Sequence, residues 1–327
     1  MNKKTLGRTG LEVSEISLGG LFLASWFNDQ AGATAVVKRA IECGINYIDT
    51  APMYGNSEEQ LGGALKEVDA PLVLSTKLGA RPMPFDAKDK DALFASFDES
   101  LRLLGRDKVD MLMIHEPDRP RQFDWWEDLD TAVGPVMEVI DVLKQQGRID
   151  YIGLGGTTAY EMARLIKTGK FDVVLTAFNY SLLWREAEID VLPAADRHNL
   201  GVIIGSPLQQ GALSRRFDDE VNDGAPWLSS PRRKQYKALY ALLDDIKMPL
   251  VECAMRFVIS NPVVDTILTG SRSPEEVNAN VDAIVKGPLP EDVLKRLDEI
   301  ADMVPFRPFG EPFGLPFGRD YKGPGQA

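Results

Sequence analysis

Eight short apolar runs recur along the chain, and longer stretches with helical periodicity separate most of them. The runs occupy residues 16–20, 46–49, 72–77, 110–115, 151–154, 173–176, 202–205 and 264–268. Their length and continuous apolar character are typical of parallel strands that are covered on both faces. The pattern therefore predicts eight buried strands.

The stretches between these strands carry apolar residues at every third or fourth position, which indicates helices that bury one face. The helical patterns cover residues 35–41, 57–61, 94–104, 136–140, 159–167 and 274–285. Gly44 and Gly105 follow two of them, as glycine commonly does after a helix. Ser57 and Gln60 have the spacing of a capping box, which predicts a helix start at Ser57.

Alternating strands and helices predict a parallel sheet, and eight strands are the number that closes a barrel. A doubly wound open sheet is the alternative, but it normally carries a Gly-x-Gly-x-x-Gly turn after its first strand. The nearest glycine cluster, residues 153–156, follows the fifth strand and lacks the third glycine. We predict an α/β fold, a single (β/α)8 barrel over residues 1–327, preceded by an N-terminal hairpin of residues 4–7 and 11–15.

Three segments break the alternation. Residues 116–132 follow the fourth strand, residues 207–233 follow the seventh, and residues 304–327 repeat Pro, Phe and Gly. Long loops inside a compact domain are usually functional or disordered. We predict functional loops after strands four and seven and an irregular C-terminal tail.

Composition narrows the class of protein. Hydrophobic residues make up 44% of the chain and charged residues 26%, as in ordinary soluble proteins. The net charge of −12 disfavours sequence-independent binding to nucleic acid. No apolar run approaches the roughly 18 residues of a membrane span, and the N-terminus lacks a secretory signal. Two cysteines and two histidines argue against a disulfide framework or a zinc site. We expect a cytoplasmic, metal-independent protein.

Four ionisable residues stand at or just after the ends of predicted strands: Asp49, Tyr54, Lys77 and His115. Active sites of such barrels lie at the C-terminal ends of the strands. Each residue alone also has an ordinary interpretation, because a tyrosine packs, a lysine is solvated and a histidine is hydrogen-bonded in many proteins without any catalytic role. Their common position makes them candidates for one site with perturbed pKa values.

The sequence around these residues resembles the aldo-keto reductase superfamily from about residue 3 to residue 303. The resemblance is carried by residues 6–14, 44–58, 75–77 and 111–115. It implies a nicotinamide-dependent carbonyl reductase or alcohol dehydrogenase with Asp49, Tyr54, Lys77 and His115 as catalytic residues. The chemistry is consistent, because hydride arriving at a carbonyl carbon leaves an alkoxide that needs a proton donor. We expect Lys77 to lower the pKa of Tyr54 from its usual value of about 10, with Asp49 holding Lys77 and His115 orienting the carbonyl.

The resemblance also implies a site for NADP or NAD. Ser271 and Arg272 precede a predicted helix, where free N–H groups favour an anion, and Asn280 matches a position facing the adenine. The predicted cofactor contacts are Gly19, Gly20, Asp49, Gly155, Asn179, Ser206, Leu208, Gly211, Gly270, Ser271, Arg272, Glu276 and Asn280.

Several positions depart from the family pattern. Gly155-Gly156 stand where many members have Ser-Asn, Ala177 replaces a glutamine, and Gly205 replaces an aromatic residue that stacks on the nicotinamide. Asn179 is a candidate replacement contact. Glu276 occupies a position that is basic in many NADP-selective members, so we expect weaker selectivity for NADP and binding of both cofactors.

All five tryptophans lie outside the predicted strands and helices, at residues 26, 125, 126, 184 and 227. This placement predicts an aromatic pocket wall, and flat aromatic faces pack on sugars or apolar carbonyl compounds. We expect a small carbonyl or sugar substrate that contacts Trp26, Tyr54, His115 and Trp126. Two other interpretations stay open: a cofactor-binding regulatory or scaffold subunit with little turnover, and a phosphate-binding barrel enzyme such as an isomerase, which would leave Tyr54 unexplained.

Overall fold

A computed structural model describes residues 1–81, 83–119, 122–225 and 228–305. Most of the predicted irregular tail, residues 306–327, and Trp227 therefore lie outside the described residues. Within the described ranges, every helix falls short of the length and apolarity needed to cross a membrane.

Eight parallel strands close into a barrel, so the prediction of a (β/α)8 barrel is confirmed. Their neighbours follow chain order, and the last strand pairs with the first. The strands are β3 (Ile16–Gly19), β4 (Tyr47–Asp49), β5 (Val73–Leu78), β6 (Val109–His115), β7 (Ile149–Gly156), β8 (Val173–Ala177), β9 (Gly201–Gly205) and β10 (Thr266–Gly270). All eight overlap the predicted apolar runs, although β10 begins and ends later than predicted.

The predicted N-terminal hairpin is formed by β1 (Lys3–Thr5) and β2 (Glu12–Ser14), which pair antiparallel. Leu6 and Val13 are fully buried and join Met111 and Val173 in the core inside the barrel. Leu6 packs against Gly201, the first residue of β9. The hairpin therefore closes the N-terminal end of the barrel and leaves the opposite end for a site.

Side chains alternate along each strand between the barrel interior and the helix layer. In β6, Met111 and Met113 point into the interior core, whereas Leu112 and Ile114 belong to the larger core between strands and helices. His115 is the next residue of the inward-facing row. This alternation carries the His115 side chain to the C-terminal mouth of the barrel.

The helices surround the strands. They are α1 (Gln30–Glu42), α2 (Ser57–Leu65), α3 (Lys90–Leu104), α4 (Pro135–Gln145), α5 (Ala159–Ile166), α6 (Glu186–Ile189), α7 (Val191–His198), α8 (Asp218–Asp223), α9 (Ser230–Ile246), α10 (Leu250–Ser260), α11 (Pro274–Ile284) and α12 (Glu291–Asp302). The predicted helical patterns correspond to α1–α5 and α11. The structure adds the others, and α8 and the start of α9 lie inside the segment predicted to be a loop after strand seven.

The expected capping box at Ser57 is wrong. Ser57 is already inside α2, where its hydroxyl donates to the carbonyl oxygen of Gly20 at 2.6 Å. It also lies 2.8 Å from the hydroxyl of Thr50. The serine is therefore used to join α2 to the loops after β3 and β4, which border the site.

Candidate active site

A cavity of about 710 Å³ opens at the C-terminal ends of the strands. Every strand of the barrel contributes at least one residue to its wall: Gly19, Asp49, Lys77, His115, Gly155, Leu175, Gly205 and Leu268. The four predicted catalytic residues all line this one cavity. The strand-end positions that the sequence separates by tens of residues are thus brought together by barrel closure.

Lys77 and Asp49 form a buried ion pair on neighbouring strands. Lys77 Nζ lies 2.5 Å from Asp49 Oδ2, and the two side chains are 1% and 0% exposed. The ammonium also donates to the Thr50 carbonyl oxygen at 2.8 Å, while Ser75 Oγ donates to Asp49 Oδ1 at 2.6 Å. Burial, the largest single effect, lowers the pKa of Lys77, but Asp49 and Tyr54 together raise it by more, so the net pKa is raised. Lys77 is therefore an ammonium whose position is fixed.

Tyr54 lies between this ammonium and His115. Lys77 Nζ is 4.9 Å from the centroid of the Tyr54 ring, and the His115 ring meets the tyrosine ring edge to face at 5.8 Å between centroids. Burial raises the pKa of Tyr54, and the charge of Lys77 opposes that rise without cancelling it. The expected direction of the lysine's influence is right, but the expected net lowering is wrong because burial dominates. The phenol is protonated at neutral pH.

His115 is a neutral imidazole in this environment. Burial, and then the nearby Lys77 charge, hold the pKa of His115 well below its ordinary value. Its Nδ1 is buried and has no hydrogen-bond partner among the described residues. The other ring nitrogen, Nε2, is the one left to reach the cavity. The backbone carbonyl of His115 accepts a bond from Trp125 Nε1 at 2.9 Å, which anchors the end of β6.

Ten of the thirteen predicted cofactor residues line the cavity. They are Gly19, Asp49, Gly155, Ser206, Leu208, Gly211, Gly270, Arg272, Glu276 and Asn280. Gly20, Asn179 and Ser271 do not line it. The space that a side chain would need at Gly20 is filled by Ser57, and Ser271 Oγ accepts a bond from Asn280 Nδ2 at 3.2 Å.

Asn179 was expected to replace the missing nicotinamide contacts, and the structure does not place it there. Its side chain is 1% exposed and donates to Thr176 Oγ1 at 2.9 Å. Phe178, which has a left-handed φ of 65°, lines the cavity in its place. The turn after β8 therefore presents the aromatic residue to the cavity and keeps the amide inside the protein.

The far end of the cavity is formed by the loop that leads into α11. The Arg272 guanidinium packs over Phe22 and Phe27, at 4.9 and 5.4 Å from the ring centroids. Glu276 Oε2 accepts a bond from the backbone N–H of Arg272 at 2.7 Å. The glutamate is thus held at the start of the helix by the backbone of Arg272.

The predicted aromatic wall requires correction. Trp125, Trp126 and Trp184 are at most 8% exposed and belong to the core behind the loops, so Trp126 does not line the cavity. The indole of Trp126 donates to the Pro117 carbonyl oxygen at 2.7 Å. Trp26 is 62% exposed and lies beside Gly55, next to Tyr54 but outside the cavity wall. The apolar wall includes instead Leu21, Phe22, Met53, Phe178 and Leu208.

Sequence reasoning also missed a carboxylate. Glu116 follows His115 directly, has a left-handed φ of 49° and lines the cavity. Its pKa is raised by burial, against the opposing charge of Arg119. A charged residue adjoining a predicted catalytic histidine was the available signal.

The cavity fits a nicotinamide dinucleotide in the chemistry of its lining. In the part of the cavity that holds Tyr54 and Lys77, Gly19, Gly155 and Gly205 line the wall without side chains, which leaves space for a flat ring. At the other end, Arg272 and the first turn of α11 offer a guanidinium and a helix N-terminus, both suited to phosphate.

Comparisons with known proteins agree with this geometry. The family model for the aldo/keto reductase family matches residues 15–302. The chain is 31% identical to an L-galactose dehydrogenase from Arabidopsis thaliana, covering 86% of this chain and 88% of that protein. It is 29% identical to a putative voltage-gated potassium channel subunit beta from Schizosaccharomyces pombe, covering 92% and 93%.

A solved aldo-keto reductase from Bacillus halodurans, in its holo form, superposes with a TM-score of 0.77 at 28% identity, covering 92% of this chain and 96% of that one. The family match spans nearly the whole barrel, and the residues that carry it converge in one cavity. The chain therefore belongs to the aldo/keto reductase family, whose members are oxidoreductases that interconvert carbonyl and alcohol groups with a nicotinamide cofactor.

Proposed function

We propose that this protein interconverts the carbonyl and alcohol forms of a small hydroxylated, sugar-like substrate with NAD or NADP, using Tyr54 as the general acid and base. The observation that carries the proposal is the position of the Tyr54 ring between the Lys77 ammonium and neutral His115 on the wall of one cavity. In this proposal Tyr54 is the proton donor, Lys77 the fixed positive charge and His115 the imidazole that orients the substrate.

The nicotinamide, when bound, supplies or accepts the hydride. In the direction of reduction, negative charge develops on the substrate oxygen, and the protonated Tyr54 hydroxyl donates its proton to that oxygen. The Lys77 ammonium stabilises the charge that forms on the phenol, and Nε2 of His115 hydrogen-bonds the carbonyl and sets its orientation. In the direction of oxidation, Tyr54 accepts the proton.

Asp49 acts through Lys77. Its carboxylate keeps the lysine charged inside a buried site, and the bond from Ser75 fixes the carboxylate in turn. The cofactor would be held by the backbone around Gly19 and Gly155 near this pair, and by Arg272 and Asn280 at the other end. Nothing in this arrangement requires the Asn179 contact that the sequence suggested.

The choice of a hydroxylated substrate has two supports. A relative of similar length is named for its activity on L-galactose. The cavity wall near His115 is also polar, with Glu116 and Thr157, while Met53 next to Tyr54 provides an apolar face. This combination suits a sugar, which has C–H faces and hydroxyl edges.

The test is a turnover assay of the purified protein with NADH and NADPH over a panel of aldehydes and aldoses, and with NAD and NADP over the corresponding alcohols and sugars. Tyr54→Phe should reduce kcat by about 10²- to 10⁴-fold, the usual value of general acid–base catalysis. Cofactor affinity, measured by fluorescence titration, should stay unchanged. Tyr160→Phe is the matched control, because Tyr160 is 64% exposed on α5 and should behave as the wild type. A Tyr54→Phe variant with near-normal turnover would refute the assignment.

A second candidate function is a cofactor-binding regulatory subunit, favoured by the similarity to a putative channel beta subunit. It predicts measurable cofactor affinity with no turnover across the panel. Under that alternative, Tyr54→Phe changes neither property.

A further inference from the structure

We propose that Glu116 determines substrate specificity, by accepting hydrogen bonds from hydroxyl groups next to the reacting carbonyl and by disfavouring anionic substrates. This inference rests on the proposed function, because it concerns the same cavity and the same reaction. It assigns a role to a residue that the catalytic chemistry does not use.

The direction of the Glu116 side chain departs from the regular alternation in β6. Inward and outward positions alternate in β6, and His115 is an inward one, so a regular continuation would send Glu116 toward the helix layer. Glu116 instead has a φ of 49°, which is uncommon for a residue with a side chain, and its backbone N–H donates to the Gly155 carbonyl oxygen at 2.7 Å. The turn brings the carboxylate onto the cavity wall beside His115.

Thr157 and Arg119 hold the Glu116 carboxylate in place. Glu116 Oε2 accepts a bond from Thr157 Oγ1 at 3.0 Å and pairs with Arg119 Nε at 3.2 Å. Thr157 is itself fixed, because its backbone N–H donates to Asp118 Oδ2 at 2.9 Å. The Glu116 side chain is 16% exposed, so its freedom to move into solvent is small.

The Glu116 carboxylate can accept further hydrogen bonds. Glu116 Oε1 has no hydrogen-bond partner in the described part of the chain, and the residue lines the cavity. A carboxylate oxygen accepts bonds from hydroxyl groups, and bonds to charged groups are stronger than neutral ones. Because Glu116 adjoins His115 on the cavity wall, the groups assigned to this oxygen are the hydroxyls on the carbon atoms next to a carbonyl bound by Tyr54 and His115.

The negative charge of Glu116 acts on Tyr54 and on any charged substrate. Besides burial, which has the largest effect, the negative charge of Glu116 raises the pKa of Tyr54, so the carboxylate acts on the reacting group electrostatically. A substrate with its own carboxylate or phosphate beside the carbonyl would meet a like charge at a partly buried position. Neutral polyols meet no such repulsion, and apolar aldehydes gain no hydrogen bond.

The test compares glyceraldehyde, which has one hydroxyl on each of the two carbon atoms that follow its aldehyde carbon, with propanal, which has the same carbon chain and no hydroxyl. Each variant is compared with the wild type on the same aldehyde, so that differences in hydration between the aldehydes cancel. Glu116→Ala should lower kcat/KM for glyceraldehyde by about 10- to 100-fold, the range expected for a hydrogen bond to a charged group. It should leave the value for propanal nearly unchanged.

Glu116→Gln tests the charge, because it keeps an acceptor oxygen and nearly the same shape. It should raise kcat/KM for glyoxylate, an anionic aldehyde whose carboxylate adjoins the carbonyl, relative to that for propanal. Glu127→Ala, which removes an exposed carboxylate from the same loop, is the control and should match the wild type on all three aldehydes. Cofactor affinity and thermal unfolding of every variant establish that the barrel is intact.

Equal losses of kcat/KM on glyceraldehyde and propanal in both Glu116 variants would show a purely structural role and overturn this inference alone. An unchanged glyceraldehyde value in Glu116→Ala would overturn it as well. If the wild type turns over none of the three aldehydes with either cofactor, the proposed function fails, and this inference fails with it.

Discussion

Neutralising Lys77 or Asp49 separately should destabilise the protein far more than neutralising both. At the 2.5 Å separation of Nζ and Oδ2, and with an effective dielectric constant of about 20, the attraction is about 7 kcal/mol. Desolvation of the two charges offsets much of it, so the pair as a whole contributes little net stability. Removing one partner, however, leaves the other charge buried without compensation, which costs about 3–5 kcal/mol.

The assay is urea unfolding of Lys77→Met, Asp49→Asn and the double variant. Both substitutions conserve side-chain volume, so the change in charge dominates the difference. We expect each single variant to lose about 3–5 kcal/mol of unfolding free energy and the double variant to recover most of that loss. All three variants should lack turnover, since a charged Lys77 is needed beside Tyr54 and Asp49 keeps Lys77 charged. Recovered stability without recovered activity separates the two roles of the pair.

Lys88 and Asp124 provide the control, because their nitrogen and oxygen lie only 2.7 Å apart but their side chains are 42% and 64% exposed. Neutralising either residue of this exposed pair should change the unfolding free energy by less than about 1 kcal/mol. If the single variants at Lys77 and Asp49 lose no more than this control, or if their effects simply add in the double variant, the reasoning from burial is refuted.

Three further predictions concern activity. Because burial raises the pKa of Tyr54, ionisation of Tyr54 should not change the rate of carbonyl reduction below about pH 10, and the rate should fall above that pH. A fall in rate centred near pH 7 that Tyr54→Phe abolishes would contradict this. Glu276→Arg should shift the ratio of kcat/KM with NADP to kcat/KM with NAD toward NADP by about tenfold, and Glu276→Gln is the control that removes only the charge. A wild-type preference for NADP above about a hundredfold would mean that Arg272 dominates the choice of cofactor. Trp26→Ala should leave KM for the best aldose nearly unchanged, since Trp26 is 62% exposed beside Gly55 and lies outside the cavity wall. A clearly raised KM would restore Trp26 to the predicted substrate contacts.

The strands were predictable because a strand covered by helices outside and by the interior core inside has no polar face, so its whole length is apolar. Helix α9 was not predicted, although Tyr236, Leu239 and Leu243 are buried at helical spacing. Glycine, serine and proline before it, in a segment rich in charge, suggested a loop. The signal lay in the buried residues, and the local composition concealed it.

The four candidate catalytic residues were predictable from their positions at strand ends, since barrel closure brings those ends together whatever the loops do. The tryptophans were not predictable by the same reasoning. Their place in the loop after a strand was correct for Trp125 and Trp126, but the loop folds back and both rings join the main core between strands and helices. Both indole N–H groups donate to backbone carbonyls, of His115 and Pro117, so the rings pack beneath the loop and away from the cavity.

The departures from the family pattern around β7 have a physical explanation in the loop after β6. A side chain at Gly156 would place its Cβ 2.3 Å from Asp118 Oδ1, so the space that an asparagine would occupy is already filled by a carboxylate from the neighbouring loop. Asp118 also holds the Thr157 N–H, and Thr157 holds Glu116. Glycine at 156 and the acidic residues at 116 and 118 therefore depend on one another. In the sequence alone, Gly156 reads only as the loss of a polar side chain. The fold shows that the loop after β6 supplies the polar groups on this side of the cavity.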